Sequence, residues 1–322
     1  MPSSPESPTV QRLLRWADEL ELGRLGPPES VRERPWSTIV RISSTQGPLW
    51  LKAAGPGGRY EPALLATLRR HDAPHTVLPL AVDEARGFSL LPHAGTVLRE
   101  TTSAIVPTWQ RLLAEHGELQ RALEPAVPEL LAGGVPDQRP EALPDHLDRL
   151  LADPPEGLSP EALDRLRGSA SDYRDACADL AAYGVALTLQ HDDLHDANVL
   201  VDDAGYRVTD WGDAAVAHPF GVLLVTLNVL ADRLSEQPSS PTLLRLRDAY
   251  LEGWTDRHSR ADLRAAAGLA VHVGRVGRCL SWQRALVGAT DVAEDFATAP
   301  AAWLADLLDS TPGDAATAEA AG

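Results

Sequence analysis

The stretch Gln190-His191-Asp192-Asp193-Leu194-His195-Asp196-Ala197-Asn198-Val199-Leu200-Val201 decides the fold when it is read with Asp210-Trp211-Gly212-Asp213, which begins twelve residues past Asn198. Between the two halves, Asn198 to Val201, a turn at Asp202-Asp203-Ala204-Gly205, and Tyr206 to Asp210 have the pattern of a β-hairpin. Carboxylates beside a buried hairpin are costly unless something pairs with them. Three readings compete. The first is a solvated loop with helix-capping aspartates. In the second, His191, Asp193 and His195 alternate and ligate Zn²⁺ from one strand face, as in a metal-dependent hydrolase. The downstream candidates, two carboxylates and an amide, suit a harder ion than zinc. The third is phosphoryl transfer. An Asp followed five residues later by an Asn, then a hairpin ending in Asp-x-Gly, has the spacing of a kinase catalytic loop and its metal-binding aspartate.

The third reading gives each residue a task. Asp193 orients the acceptor hydroxyl and takes its proton. Asn198, a neutral oxygen ligand, and Asp210, an anionic one, hold Mg²⁺ against the nucleotide phosphates, and the hairpin brings Asp210 back beside Asn198. Far upstream lies a second signal. Of 29 basic residues only Lys52 is lysine, so this position calls for a compact ammonium rather than a forked guanidinium. Lys52 sits in a strand-like Leu49-Trp50-Leu51-Lys52-Ala53, nine residues before Glu61 on a helix expected over 59–70. Lys52 would contact the α- and β-phosphates of ATP, and Glu61 would pair with it and fix its direction.

Working outward, 10–25 reads as an amphipathic helix, 37–42 as a strand, 77–82 and 88–91 as two more, and Pro92-His93-Ala94-Gly95 as a hinge. Past residue 96 the pattern is helical, with helix starts at Ser159-Pro160 and at Ser259…Asp262. The expected architecture is α+β and two-lobed. It has an N-terminal extension with a helix (1–29), a small β-rich nucleotide-binding lobe (30–95), a larger mainly helical lobe with the catalytic loop and acceptor site (96–310), and a disordered tail (311–322).

These segments together resemble the aminoglycoside phosphotransferase family, relatives of the choline and fructosamine kinases within the protein-kinase-like fold. The resemblance rests on 191–201, on Thr209-Asp210-Trp211-Gly212-Asp213-Ala214, and on Leu51-Lys52 with Glu61, and it covers about residues 30–305. It implies an ATP- and Mg²⁺-dependent kinase acting on a hydroxyl of a small molecule: aminoglycoside-like, amino alcohol or sugar. It also implies a structural His191 bonded to nearby backbone. Two departures stand out. Asp192 occupies a position where the family often has Gly, so an extra carboxylate either faces solvent or meets a cationic acceptor. The segment 32–37 has no glycine, which leaves Ser37 and backbone N–H groups to contact phosphate. A nucleotide-binding regulator without turnover remains the alternative, together with the hydrolase.

Composition narrows the partners. A net charge of −17 argues against a nucleic-acid partner. No apolar run approaches a membrane span, and the Ser/Pro-rich start lacks a signal-peptide pattern, so a cytoplasmic protein is expected. Cys177 and Cys279 read as free thiols. From Ala285 onward there are seven acids and no Lys or Arg, either a solvated acidic face or the lining of a site for a cationic acceptor.

Overall fold

The computed structural model describes residues 7–101, 104–203, 205–290 and 292–310. The tail expected over 311–322 lies outside the described residues. Helix α1 (Pro8–Glu19) is capped by Ser7, whose hydroxyl accepts from the Val10 N–H. It stops at Glu19, short of Leu25, because Glu21 and Gly23 turn left-handed and Arg24 bridges to Ser44. Five strands follow: β1 (Ser30–Arg34), β2 (Ser37–Ser44), β3 (Gly47–Ala54), β4 (Ala81–Asp83) and β5 (Phe88–Pro92), in sheet order β1-β2-β3-β5-β4.

Alternation along the strands sorts their side chains to two faces. Val40, Ile42, Leu49, Leu51, Phe88 and Leu90 pack against Val10, Leu13, Leu14, Trp16 and Ala17 of α1, so that helix completes the core of the small lobe. Lys52, one step out of phase, points to the opposite face, where α2 (Glu61–Arg70) lies. The segment 32–37 is not a free loop. Its first part is β1, and the register Arg34↔Ser37 leaves Pro35-Trp36 as a two-residue turn. The strand expected over 77–82 is confined to its end. Val77 donates its N–H to Val208 of the other lobe, and Pro79 has no N–H to give a ladder.

The hinge expected at 92–95 leads into β6 (Thr96–Val97), which pairs with β9 (Val199–Asp202). Gly95 has φ +114°, and a side chain there would overlap the Val201 carbonyl, so the connection lies flat on the hairpin only with glycine. The large lobe contains α3 (Ile105–Ala122), α4 (Val127–Ala132), α5 (Leu143–Ala152), α6 (Pro160–Ala182), α7 (Leu223–Leu234), α8 (Pro241–Leu251), α9 (Arg260–Ala285), α10 (Glu294–Ala297) and α11 (Ala299–Asp306). Ser159 and Ser259 cap α6 and α9 by accepting from Ala162 N and Asp262 N. The expected hairpin is β9 with β10 (Gly205–Val208). A second small sheet, in the order β7-β11-β8, joins β7 (Asp137–Gln138), β8 (Thr188–Gln190) and β11 (Ala215–Ala217) around the catalytic loop. Both cysteines are free and buried. Among the described residues no helix is long and apolar enough to cross a membrane.

One buried group in α3 is at odds with its surroundings. His116 is 1% exposed, and neither ring nitrogen has a hydrogen-bond partner. Burial holds its pKa down at about 3, so the folded protein keeps it neutral while the unfolded chain binds a proton near pH 6.5. Stability is therefore lost as pH falls from about 6.5 towards 3. His116→Leu should raise stability at pH 7.5 by about 1 kcal/mol and shrink the loss on going to pH 5. Urea melts at the two pH values measure both, and an unchanged difference between them would contradict this account.

Candidate active site

The cleft between the lobes is lined by one ammonium, Lys52, and by Glu61 and three aspartates, Asp193, Asp210 and Asp213. Lys52 Nζ lies 2.6 Å from Glu61 Oε1 and 2.6 Å from Asp210 Oδ1, although the three residues come from β3, α2 and the end of the hairpin. Burial would lower the lysine pKa, but Asp210 and Glu61 outweigh it and hold the group charged above its usual range. Burial raises the Glu61 carboxyl against the pull of Lys52, while the same lysine drives Asp210 below the usual carboxylate range despite its own burial. Asp210 has φ +63°, a left-handed conformation that costs a residue with a side chain. Its surroundings enforce that turn. The Tyr60 hydroxyl at the start of α2 donates to the Gly212 carbonyl at 2.6 Å, and the Trp211 indole donates to Thr76 Oγ1 at 2.9 Å.

The catalytic loop sorts its polar groups by direction. His191 Nε2 donates to the Thr209 carbonyl at 2.9 Å, and its Nδ1 accepts from the Asp193 N–H at 3.3 Å. Both ring nitrogens are thus engaged by backbone, which leaves His191 no lone pair for zinc. Asp196 is turned inward between Arg99 and Arg233. Asp193 faces the cleft. Asn198 Nδ2 donates to Asp193 Oδ2 at 3.2 Å and to the Asp193 carbonyl at 3.0 Å, and His195 Nε2 is 3.3 Å from the same Oδ2. This use of the Asn198 amide leaves its Oδ1 for another ligand. Asp210 likewise has one carboxylate oxygen that is not the one bonded to Lys52.

A group that the motif does not reveal sits beneath this loop. Arg278, on α9, is 3% exposed. It donates to the Asp192 carbonyl at 2.8 Å and lies 3.2 Å from Asp193 Oδ1 and 3.4 Å from Asp213 Oδ2. Asp192 is therefore neither solvated nor available to an acceptor. It is 2% exposed, accepts from Gln190 Nε2 at 2.9 Å and from Ser281 Oγ at 2.6 Å, and has Arg278 at 3.5 Å. Its φ of +62° explains why glycine suits this position. Burial works against ionisation of Asp193, yet Arg278 and then His195 bring its pKa below the ordinary value. Burial, partly offset by Arg278 and reinforced by Asp193 and Asp192, pushes the Asp213 carboxyl up to about 7. No sequence spacing links Arg278 to the loop, because α9 arrives by tertiary packing.

Other expectations are redistributed. Ser37 is drawn into β2 and is 4% exposed; the residue of that hairpin which lines the cleft is Trp36. Trp36 meets Trp282 and Phe296 edge-on at 6.0 and 5.3 Å, so the tip of the small lobe touches the far end of α9. The acids past Ala285 do not converge on the cleft. Asp306 pairs with Arg275, Asp309 faces Arg165, and Glu294 and Asp295 are exposed. Asp291, Asp314 and Glu319 lie outside the described residues.

This arrangement has counterparts among solved structures. A choline/ethanolamine kinase family protein from Mesorhizobium loti matches with TM-score 0.61 at 17% identity, over 94% of this chain and 95% of that one. The chain has the protein-kinase-like fold. A macrolide 2′-phosphotransferase type I shares this fold at TM-score 0.59 and 17% identity, over 94% and 99% of the two chains. So does an amicoumacin kinase solved with AMP-PNP, Ca²⁺ and Ami, at TM-score 0.55 and 13% identity, over 94% and 96%. No family model matches the sequence, and no curated protein does. The fold's two lobes correspond to the β-rich and helical halves described above.

Proposed function

We propose that this protein is a small-molecule kinase that transfers the γ-phosphoryl group of ATP to a hydroxyl. The observation that carries the reading is the meeting of Lys52, Glu61 and Asp210 within 2.6 Å contacts, in a cleft also lined by Asp193. Neighbours with this fold are small-molecule phosphotransferases. Lys52 binds nucleotide phosphate oxygens, with Glu61 holding it in place. Asn198 Oδ1 and Asp210 would hold Mg²⁺, which when bound neutralises phosphate charge. The acceptor hydroxyl oxygen forms a bond to the γ-phosphorus as the bond from that phosphorus to the leaving ADP oxygen breaks, and the hydroxyl proton passes to Asp193. Positioning and charge neutralisation supply most of the rate. The zinc-hydrolase alternative loses its first ligand to the backbone contacts of His191. A regulator without turnover has no use for a cleft-facing Asp193.

The test is ADP release from Mg·ATP across aminoglycosides, macrolides, choline, ethanolamine, sugars and homoserine, alongside calorimetric binding of Mg·ATP. Acceptor-dependent ADP release supports the kinase and gives the acceptor class. Tight Mg·ATP binding with no release across a wide panel favours the regulator, and absence of Mg·ATP binding overturns the reading altogether.

A further inference from the structure

Arg284 ends α9 on the cleft wall beside Lys52, Asp193 and Asp210, and nothing in the scheme above employs it. Its position is built. Gly57, in the turn before α2, lies so close that any side chain there would overlap the Arg284 carbonyl. Two residues earlier, Trp282 is held by Trp36 and Phe296. The contrast with Arg278 on the same helix is informative. Arg278 is shared by three aspartates, whereas Arg284 makes no ion pair among the described residues. Its Nη2 donates to Ser281 Oγ at 2.8 Å, and its buried Nε has no partner.

Besides Arg284, two cations reach the nucleotide side of the cleft: Lys52, and the exposed Arg32 of β1, whose charge helps to lower the Asp210 carboxyl. Lys52 is already matched by two carboxylates, and the turn above it offers Pro35, which has no N–H, and Trp36, with no glycine to bring backbone amides close. A triphosphate entering a site with three aspartates and Glu61 needs another cation. We infer that Arg284 is a catalytic residue whose guanidinium binds the γ-phosphoryl oxygens of ATP and stabilises their charge during transfer. The inference rests on the kinase reading. The proton of the acceptor goes to Asp193 and the bonding pair leaves with ADP.

The experiment compares Mg²⁺-supported binding of AMP-PNP and of ADP, followed by the tryptophan fluorescence of Trp36 and Trp282 or by calorimetry. Arg284→Gln should weaken AMP-PNP about tenfold or more and ADP less than twofold, a selective loss of the γ-phosphoryl contact. Arg284→Lys should recover part of it, because it keeps the charge without the fork. Gly57→Val retains the guanidinium but pushes its backbone away, and it should reproduce the selective loss. Ser281→Ala removes the present partner of Arg284 together with a donor to Asp192; it can change both affinities but should leave their ratio unchanged. Equal weakening of both nucleotides in Arg284→Gln, or none, overturns the inference while leaving the kinase reading intact. A wild-type protein that binds neither nucleotide overturns both.

Discussion

Asp193→Asn should lower acceptor-dependent turnover by about 10³-fold while nucleotide affinity stays within about twofold. The substitution preserves shape, and Arg278 keeps Asp192 and Asp213 as partners, so the fold has little reason to change. Two things are lost. An amide cannot take the hydroxyl proton, and its NH₂ group would face Asn198 Nδ2 or His195, which now meet a carboxylate oxygen at 3.2 and 3.3 Å. Neither change touches Lys52 or Asp210, which is why binding and turnover should separate. Steady-state ADP release and calorimetry on one preparation measure the split. Turnover within tenfold of wild type would remove Asp193 from the proton's path.

Lys52→Met should do more than silence the site. Lys52 and Glu61 are 5% and 3% exposed, and removing one member of a buried ion pair strands the other charge. The usual cost is about 3–5 kcal/mol. The double substitution Lys52→Met/Glu61→Gln removes the buried stranded charge and leaves only Asp210, whose side chain is 31% exposed, so it should regain most of that stability. It should not regain phosphate binding, because no ammonium remains at the phosphate position. Urea unfolding and nucleotide titration of the wild type, Lys52→Met, Glu61→Gln and the double variant form a closed cycle. A single variant that unfolds at the wild-type midpoint would show that the buried pair contributes nothing.

How much of this was legible in the sequence depends on how far apart the interacting residues lie along the chain. The hairpin, the catalytic loop and the serine helix starts are local, and their residue types state what they do. Lys52 and Glu61, nine residues apart on a strand and the next helix, are still within reach of a pattern. Strand β1 was missed because Ser-Val-Arg-Glu-Arg, exposed throughout, carries no burial alternation to reveal it. That miss left Ser37 in a loop, whereas it opens β2 and is buried behind the turn at Pro35-Trp36. Val77 misled in the opposite way: an apolar run looked like a full strand, but its first N–H is taken by Val208 across the lobes. Arg278 and Arg284 were invisible for a deeper reason. A guanidinium on a long amphipathic helix looks like any solvated charge until the helix is seen to pass under Asp193 and end against Gly57.

Trp36 at the tip of the small lobe and two rings of the large lobe form a second fastening between the lobes. Behind, the lobes are joined by chain at Gly95; in front, Trp36 rests on Trp282 and Phe296. The first tie is covalent and the second is only a few aromatic edges, so the front of the cleft is the side a single substitution can loosen. On the kinase reading proposed above, a change at position 36 would free the mouth of the cleft while leaving Asp193 and its partners untouched.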